Sequence, residues 1–196
     1  MQPLILGSSS PFRAEILTKI GLDFITASPD IDESPKAGEQ PDQLVQRLSE
    51  QKAYKIAEHY PNALIIGSDQ VAVLDGDVLG KPGNHENAVQ QLMAASGKTV
   101  LFMTGLALLN SHSKTIQSLV EPFEVTFKKL SLTQINYYLR KEQPYQCAGS
   151  FKSEAFGISL FSKLNGDDPN SLIGLPLIRL ISLLEAEGID VLQPNQ

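Results

Sequence analysis

The sequence is short of what would tie it to a membrane, a disulfide scaffold or a nucleic acid. It holds one cysteine, Cys147, and no tryptophan. A single cysteine excludes an internal disulfide and gives no support to an oxidising compartment. No apolar run approaches the roughly 20 residues of a membrane span. The opening Met1-Gln2-Pro3-Leu4-Ile5-Leu6-Gly7 has neither the basic start nor the apolar length of a signal peptide. Positive charge is scarce too: 16 Lys and Arg stand against 22 Asp and Glu, a net charge of −6, with no basic stripe suited to a polynucleotide. The expectation is a soluble cytoplasmic protein with no membrane and no nucleic-acid partner. An anionic small ligand stays open where a few cations converge against the overall field.

What is present fits a globular chain. The 196 residues, 42% hydrophobic and 19% charged, suffice for one substantial domain or two small lobes sharing a cleft. Leu4 to Gly7 reads as a buried strand, followed by Ser10 as N-cap and Pro11 as first residue of a helix to about Ile20. Phe24 to Ala27 reads as a short strand and residues 28–41 as a loop. An amphipathic helix is expected from Pro41 to about Glu58. A long β-run from Ala63 to Leu74 then turns at Asp75-Gly76 into Val78-Leu79. Residues 84–95 and Ser131 to Lys141 read as helices. Two or three long strands are expected between Thr99 and Lys128, mixed strand and loop over 145–165, and one last helix from Ser171 to Glu187. This order predicts a mixed α/β fold with one curved sheet flanked by helices in two lobes. No repeat or linker marks a lobe boundary, so the chain is read as one domain over 1–196.

Several positions break the local pattern. Gly67-Ser68-Asp69-Gln70 interrupts an otherwise apolar strand, where an isolated carboxylate costs several kcal/mol unless paired, coordinated or wet; a bulge with polar capping side chains is the ordinary alternative. Lys52 falls in the apolar stripe of Leu44, Val45, Leu48, Ile56 and Tyr60, so its head either snorkels to water or meets a buried anion. On the stripe alone, alanine there should cost little stability. Ser8 to Arg13 places hydroxyls, free N–H groups and a guanidinium at a helix start, suited to phosphate. Lys81 is fixed between Gly80 and Pro82 after a hairpin. Asp30, Asp32 and Glu33 form an acidic group of the kind magnesium or manganese accepts, or a solvated loop.

Other matches fail. Gly97-Lys98-Thr99 resembles the end of a P-loop but follows a helix, and Leu92 stands where the first glycine belongs. His59, His85 and His112 lack metal-ligand spacing. Cys147 has no histidine pattern around it and reads as a small buried residue. No nucleophile elbow is present.

Taken together, Ser8-Ser9-Ser10-Pro11-Phe12-Arg13, Asp32-Glu33, Lys52-Ala53, Gly67-Ser68-Asp69, Gly80-Lys81-Pro82 and Gly174-Leu175-Pro176 follow the order and spacing of Maf-like nucleotide pyrophosphatases. The resemblance spans residues 4 to about 190. It implies an elongated α/β fold with a central cleft, similar to inosine triphosphate pyrophosphatases, and metal-dependent hydrolysis of a nucleoside triphosphate to the monophosphate and pyrophosphate. By the same resemblance Asp69 is the proton acceptor or a metal ligand, Glu33 a second metal ligand, and Ser8, Arg13, Lys52 and Lys81 bind the triphosphate. A homodimer is implied as well.

Three positions separate the branches of the family. The branch acting on 7-methyl-GTP resembles this chain at Gln70 and Glu154, and carries an aromatic residue, usually Trp, where Phe12 stands. The pyrimidine branch carries Arg, Thr and Gln there. An aromatic face and a carboxylate suit a base made cationic by N7 methylation. The alternatives are a dTTP and UTP pyrophosphatase, a non-enzymatic nucleotide-binding regulator of septum formation, or, for Phe12 alone, a core residue of the first helical turn.

Overall fold

A computed structural model describes residues 2–193. In chain order the elements are β1 (Leu4–Gly7), α1 (Pro11–Thr18), β2 (Phe24–Ala27), α2 (Pro41–Ala57), β3 (Leu64–Leu74), β4 (Asp77–Leu79), α3 (His85–Ala95), β5 (Thr99–Asn110), β6 (Thr115–Phe127), α4 (Leu132–Glu142), β7 (Phe161–Asn165), α5 (Pro169–Ile173) and α6 (Leu177–Ala186), with 3-10 turns at Ala148–Ser150 and Phe156–Leu160. The strands pair in the order β2-β1-β3-β5-β6-β7, with β4 on β3. The mixed α/β expectation holds. Among the described residues no helix is long and apolar enough to cross a membrane.

The chain divides into two compact units. One draws on the chain up to Gln70, on Thr104–Glu121 and on the chain from Asp168 onward; the other on Val71–Met103 and Pro122–Asp167.

In the first unit β1 pairs in parallel with β2 and with β3, in a register that sets Gly7 beside Gly67. Parallel strands covered on both faces need apolar residues at every position, which is why Leu4 to Leu6 and Leu64 to Ile66 read as unbroken runs. Leu4, Leu6, Leu64, Ile66, Leu106 and Leu108 point to one face and pack with Ile16 and Leu17 of α1 and Leu180 and Leu184 of α6. Ile5, Ile65, Ala107 and Leu109 point to the other, against Ala53 and Ile56 of α2.

The contact of α2 with the sheet is backbone on backbone. A Cβ added at Gly67 would lie 2.0 Å from the Ser49 carbonyl oxygen and 3.0 Å from the Ala53 nitrogen, and one at Gly105 2.2 Å from the Val45 carbonyl oxygen. Gly67 is therefore required by close approach rather than by its backbone angles. We expect Gly67→Ala to cost about 3 kcal/mol, the upper part of the usual overpacking range, and to lower the melting temperature by roughly 6–12 °C. Calorimetry checks this; a melting temperature within a degree of wild type contradicts it.

In the second unit Phe102, Phe127, Phe151 and Phe161 meet edge to face, with centroids 4.8–5.6 Å apart. This aromatic cluster supplies apolar area and directional ring contacts in one place. Helix α3 lies against α4 there.

One sequence expectation needs correction. The last helix is not continuous: α5 ends at Gly174, whose φ of 115° is open to glycine, and α6 starts after Pro176. A left-handed glycine followed by proline is a helix stop, and the apolar periodicity on either side hid it. The stretch from Thr99 to Lys128 forms two strands, β5 and β6, within the two or three expected.

Candidate functional site

The carboxyl ends of parallel strands are where open α/β sheets place ligands. Here the end of β1 delivers Ser8 to Arg13, and β3, in register beside it, delivers Gly67 to Gln70. Along β3 side chains alternate, so Gly67 and Asp69 share the α2 face while Ser68 and Gln70 share the α1 and α6 face. The strand runs unbroken from Leu64 to Leu74, so its polar residues are not the consequence of a bend.

Close packing at Gly67 brings α2 down and sets Lys52 over Asp69. The ammonium donates to Asp69 Oδ1 at 2.6 Å and lies 2.7 Å from Glu33 Oε1. Lys52 is 5% exposed and Asp69 8% exposed. Of the two readings of Lys52, the buried anion holds and snorkelling does not. Glu33 is the more exposed partner.

Glu33 reaches Lys52 from a loop without regular structure, and α2 itself holds that loop. Arg47 Nε and Nη2 bind the two oxygens of Glu39, and Nη2 also donates to the Ser34 carbonyl. This fork pushes Glu39 down to about 2, with a second contribution from the Lys36 N–H, and the same pair raises Arg47. Asp32 accepts from the Ser34 side chain and N–H, which lowers its pKa and shapes the turn beside Glu33. Asp30 is exposed. The acidic group thus splits, and Glu33 alone joins Lys52. Arg47 escaped the sequence reading because it sits at ordinary helical spacing and its carboxylate partner Glu39 lies outside the helix.

At the helix start Ser10 caps α1, accepting from the Arg13 N–H, and Ser8 Oγ accepts from the Ser10 N–H. Arg13 folds back: Nε donates to the Gly174 carbonyl at 2.7 Å and Nη1 stands 3.5 Å from Ser8 Oγ. Burial lowers the Arg13 pKa, and the fields of Asp69 and Glu33 oppose it; a guanidinium stays charged regardless. Arg13, Lys52, Asp69 and Glu33 therefore form one charged cluster, with Ser8 at its edge. Phe12, at the second position of α1, is 36% exposed, so it is no core residue.

Gln70 behaves differently from its neighbour. Its amide nitrogen lies 2.9 Å from Thr104 Oγ1, 2.7 Å from the Ser171 carbonyl and 3.2 Å from the Leu172 carbonyl. Its donors are turned into the protein, onto the end of α5.

Lys81 and Glu154 belong to the second unit, and both are exposed. Backbone around Lys81 is held by α3: Gln91 donates to the Gly80 carbonyl and Asn87 to the Pro82 carbonyl. Gln91 also accepts from Ser150 Oγ, tying the Lys81 segment to the segment that leads to Glu154. Burial raises the Cys147 thiol, Lys152 and Lys81 lower it and Glu154 raises it. Gln91 carried no sequence signal.

As for a metal, two carboxylates converge on one cationic position, and no cluster of three His, Cys, Asp or Glu joins them among the described residues. That donor set suits magnesium or manganese held by one or two carboxylates, phosphate oxygens and water. It does not suit a closed zinc site.

The Maf-like protein family matches residues 3–187. The 7-methyl-GTP pyrophosphatase of Nitrosococcus oceani is 58% identical over 189 residues, covering 96% of this chain and 95% of that protein. The protein of the same name in Pseudomonas aeruginosa is 56% identical over 191 residues, covering 97% and 100%. In fold alone, the chain is similar to the Staphylococcus aureus Ham1 protein, with a TM-score of 0.54 at 12% identity, covering 95% and 100%. Site geometry at the ends of β1 and β3 and similarity along almost the whole length agree, and the chain belongs to the Maf-like protein family.

Proposed function

We propose that the chain hydrolyses a nucleoside triphosphate to the nucleoside monophosphate and pyrophosphate, and that 7-methyl-GTP is its substrate. The observation that carries this reading is the Lys52 ammonium between Asp69 and Glu33, with Arg13 inside the field of both carboxylates. The names of the relatives support it.

Water attacks the α-phosphorus, the bond to the bridging oxygen of the β-phosphate breaks, and pyrophosphate leaves with the bonding pair. Positioning and charge carry such a reaction. Lys52 fixes Asp69 through Oδ1, so Oδ2 is the oxygen left to take the proton of the attacking water or to hold the metal. An ammonium has three donors; two of them face carboxylates, and the third serves a phosphate oxygen. Arg13 offers its two terminal nitrogens as a fork to the same kind of oxygen, Ser8 adds a hydroxyl, and Lys81 is a further phosphate-binding cation. Asp69 and Glu33 would hold magnesium or manganese, which neutralises charge on the phosphates when bound. Pyrophosphate release is expected to stop on exhaustive chelation and to return with either ion; full activity in chelator contradicts the metal requirement. The enzyme is taken as cytoplasmic and homodimeric, and light scattering tests the latter.

Selectivity rests on the chemistry of Phe12 and Glu154. An aromatic face attracts a cationic base, and a carboxylate accepts from guanine N1–H and the exocyclic amine. A desolvated charge-assisted pair gives roughly ten- to a hundredfold discrimination. Glu154→Gln should therefore lower kcat/KM for 7-methyl-GTP more than for GTP, and Phe12→Arg with Glu154→Gln should move preference towards dTTP and UTP. The test is pyrophosphate release from these four nucleotides by wild type and both variants. A wild-type preference for dTTP sinks the substrate assignment, and no release from any triphosphate sinks the activity.

A further inference from the structure

The triphosphate-facing guanidinium is held by a carbonyl, and that carbonyl is held by something else. Helix α5 has five residues, so most of its carbonyls lack a partner within the helix. The Gly174 N–H and Leu175 N–H take the carbonyls of Asn170 and Ser171. The remaining capacity faces β3 and β5. Gln70 reaches the Ser171 and Leu172 carbonyls, Thr104 Oγ1 donates to the Ser171 carbonyl at 2.9 Å, and Ser68 Oγ stands 2.9 Å from the Gly174 carbonyl and 2.8 Å from the Gly105 carbonyl. On the far side of the break Asp168, wholly buried, accepts from the Asn170 N–H and the Ile178 N–H, capping α5 and α6 with one carboxylate. The break between the helices is thus fixed from both ends.

Gly174 is the acceptor shared by Ser68 and Arg13. We propose that Ser68 is a positioning residue for triphosphate binding, acting with Gln70 and Thr104: they set the Gly174 carbonyl, which sets Arg13. Ser68 and Thr104 are both fully buried, so neither meets a ligand directly. Arginine anchored through Nε keeps both terminal nitrogens for phosphate, and its long side chain is already ordered before the ligand arrives. Gln70 occupies its amide donors on the same break, at the Ser171 and Leu172 carbonyls. The inference rests on the phosphate role given to Arg13 above.

The test uses inorganic tripolyphosphate as probe, with calorimetry on wild type, Ser68→Ala, Arg13→Lys and the double variant. Lysine has no Nε–H to meet the Gly174 carbonyl. Ser68→Ala is expected to weaken tripolyphosphate binding by roughly tenfold, short of the roughly 10²-fold that an ångström of misplacement brings in catalysis. In the Arg13→Lys background it should add nothing. In turnover the same change appears in KM with kcat nearly unaltered. The Arg13 Nε–H resonance, expected to be protected from exchange in wild type by its bond to the Gly174 carbonyl, should lose that protection in Ser68→Ala. Thr104→Val, which removes a hydroxyl at nearly constant shape and keeps the Ser68 hydroxyl in place, should act in the same direction, and it decides the matter should Ser68→Ala not fold. Equal losses in both Arg13 backgrounds, or unchanged binding, overturn the inference. Because binding and exchange are read without turnover, a protein that shows the coupling but hydrolyses nothing overturns the proposed activity and supports the positioning role.

Discussion

Asp69→Asn is expected to lower turnover by at least about 10²-fold, the usual effect of losing a positioned proton acceptor, while the chain stays folded. Asparagine matches aspartate in shape, and its carbonyl oxygen can take the place of Oδ1 in accepting from Lys52, 2.6 Å away in the wild-type protein. Glu33 still faces the ammonium at 2.7 Å, so Lys52 keeps an anionic partner. What the amide lacks is an oxygen basic enough to take a proton from water. Pyrophosphate release should therefore collapse while circular dichroism and the melting temperature change little. Tripolyphosphate affinity should not fall, since a negative charge beside the phosphates has been removed. Turnover within a few-fold of wild type in the folded variant takes Asp69 out of the mechanism.

How much of this site could be read from the chain depends on whether a residue offended its own neighbourhood. Asp69 did, as a carboxylate among Leu64 to Ile66 and Val71 to Leu74, and Lys52 did, as a cation in the apolar stripe of α2. Each was buried, and each turned out to be the other's partner. Neither pattern disclosed the pairing, because residues 17 apart on a helix and a strand meet only when α2 is pressed onto β3 at Gly67. Glu33 offended nothing. An acidic loop is ordinary, and what places Glu33 is the grip of Arg47 on Glu39 and Ser34, two contacts between groups unremarkable in sequence.

The division into units was illegible for a different reason. The chain passes from one unit to the other after Gln70, Met103, Glu121 and Asp167; the first three points lie inside continuous strands β3, β5 and β6, and the fourth in the short loop between β7 and α5. A boundary inside a hydrogen-bonded strand carries no proline-rich or glycine-rich linker to announce it. Gly174-Leu175-Pro176, by contrast, carried every local signal of a helix stop, and the periodicity of Ser171 to Glu187 outweighed them. Those three residues place the carbonyl on which Arg13 rests.

Lys52→Met is expected to lose about 3 kcal/mol of stability at neutral pH, the low end of the cost of breaking a buried ion pair by removing one member. From the sequence alone alanine at this position of the stripe looked harmless. The geometry reverses that expectation. Without the ammonium, Asp69 and Glu33 face each other with nothing between them, and Asp69 is only 8% exposed, so water replaces little of what is lost. Glu33 can swing towards solvent, which keeps the cost at the low end. The origin of the loss separates in a cycle with Asp69→Asn. An uncompensated carboxylate predicts that Lys52→Met with Asp69→Asn is more stable than Lys52→Met alone by more than about 1 kcal/mol, a coupling of the size contacting residues show. Lost packing of the lysine stem predicts additive changes. Urea denaturation of the four proteins measures both, and additivity within about 0.5 kcal/mol would place the role of Lys52 in its contact with phosphate rather than in holding the carboxylates together.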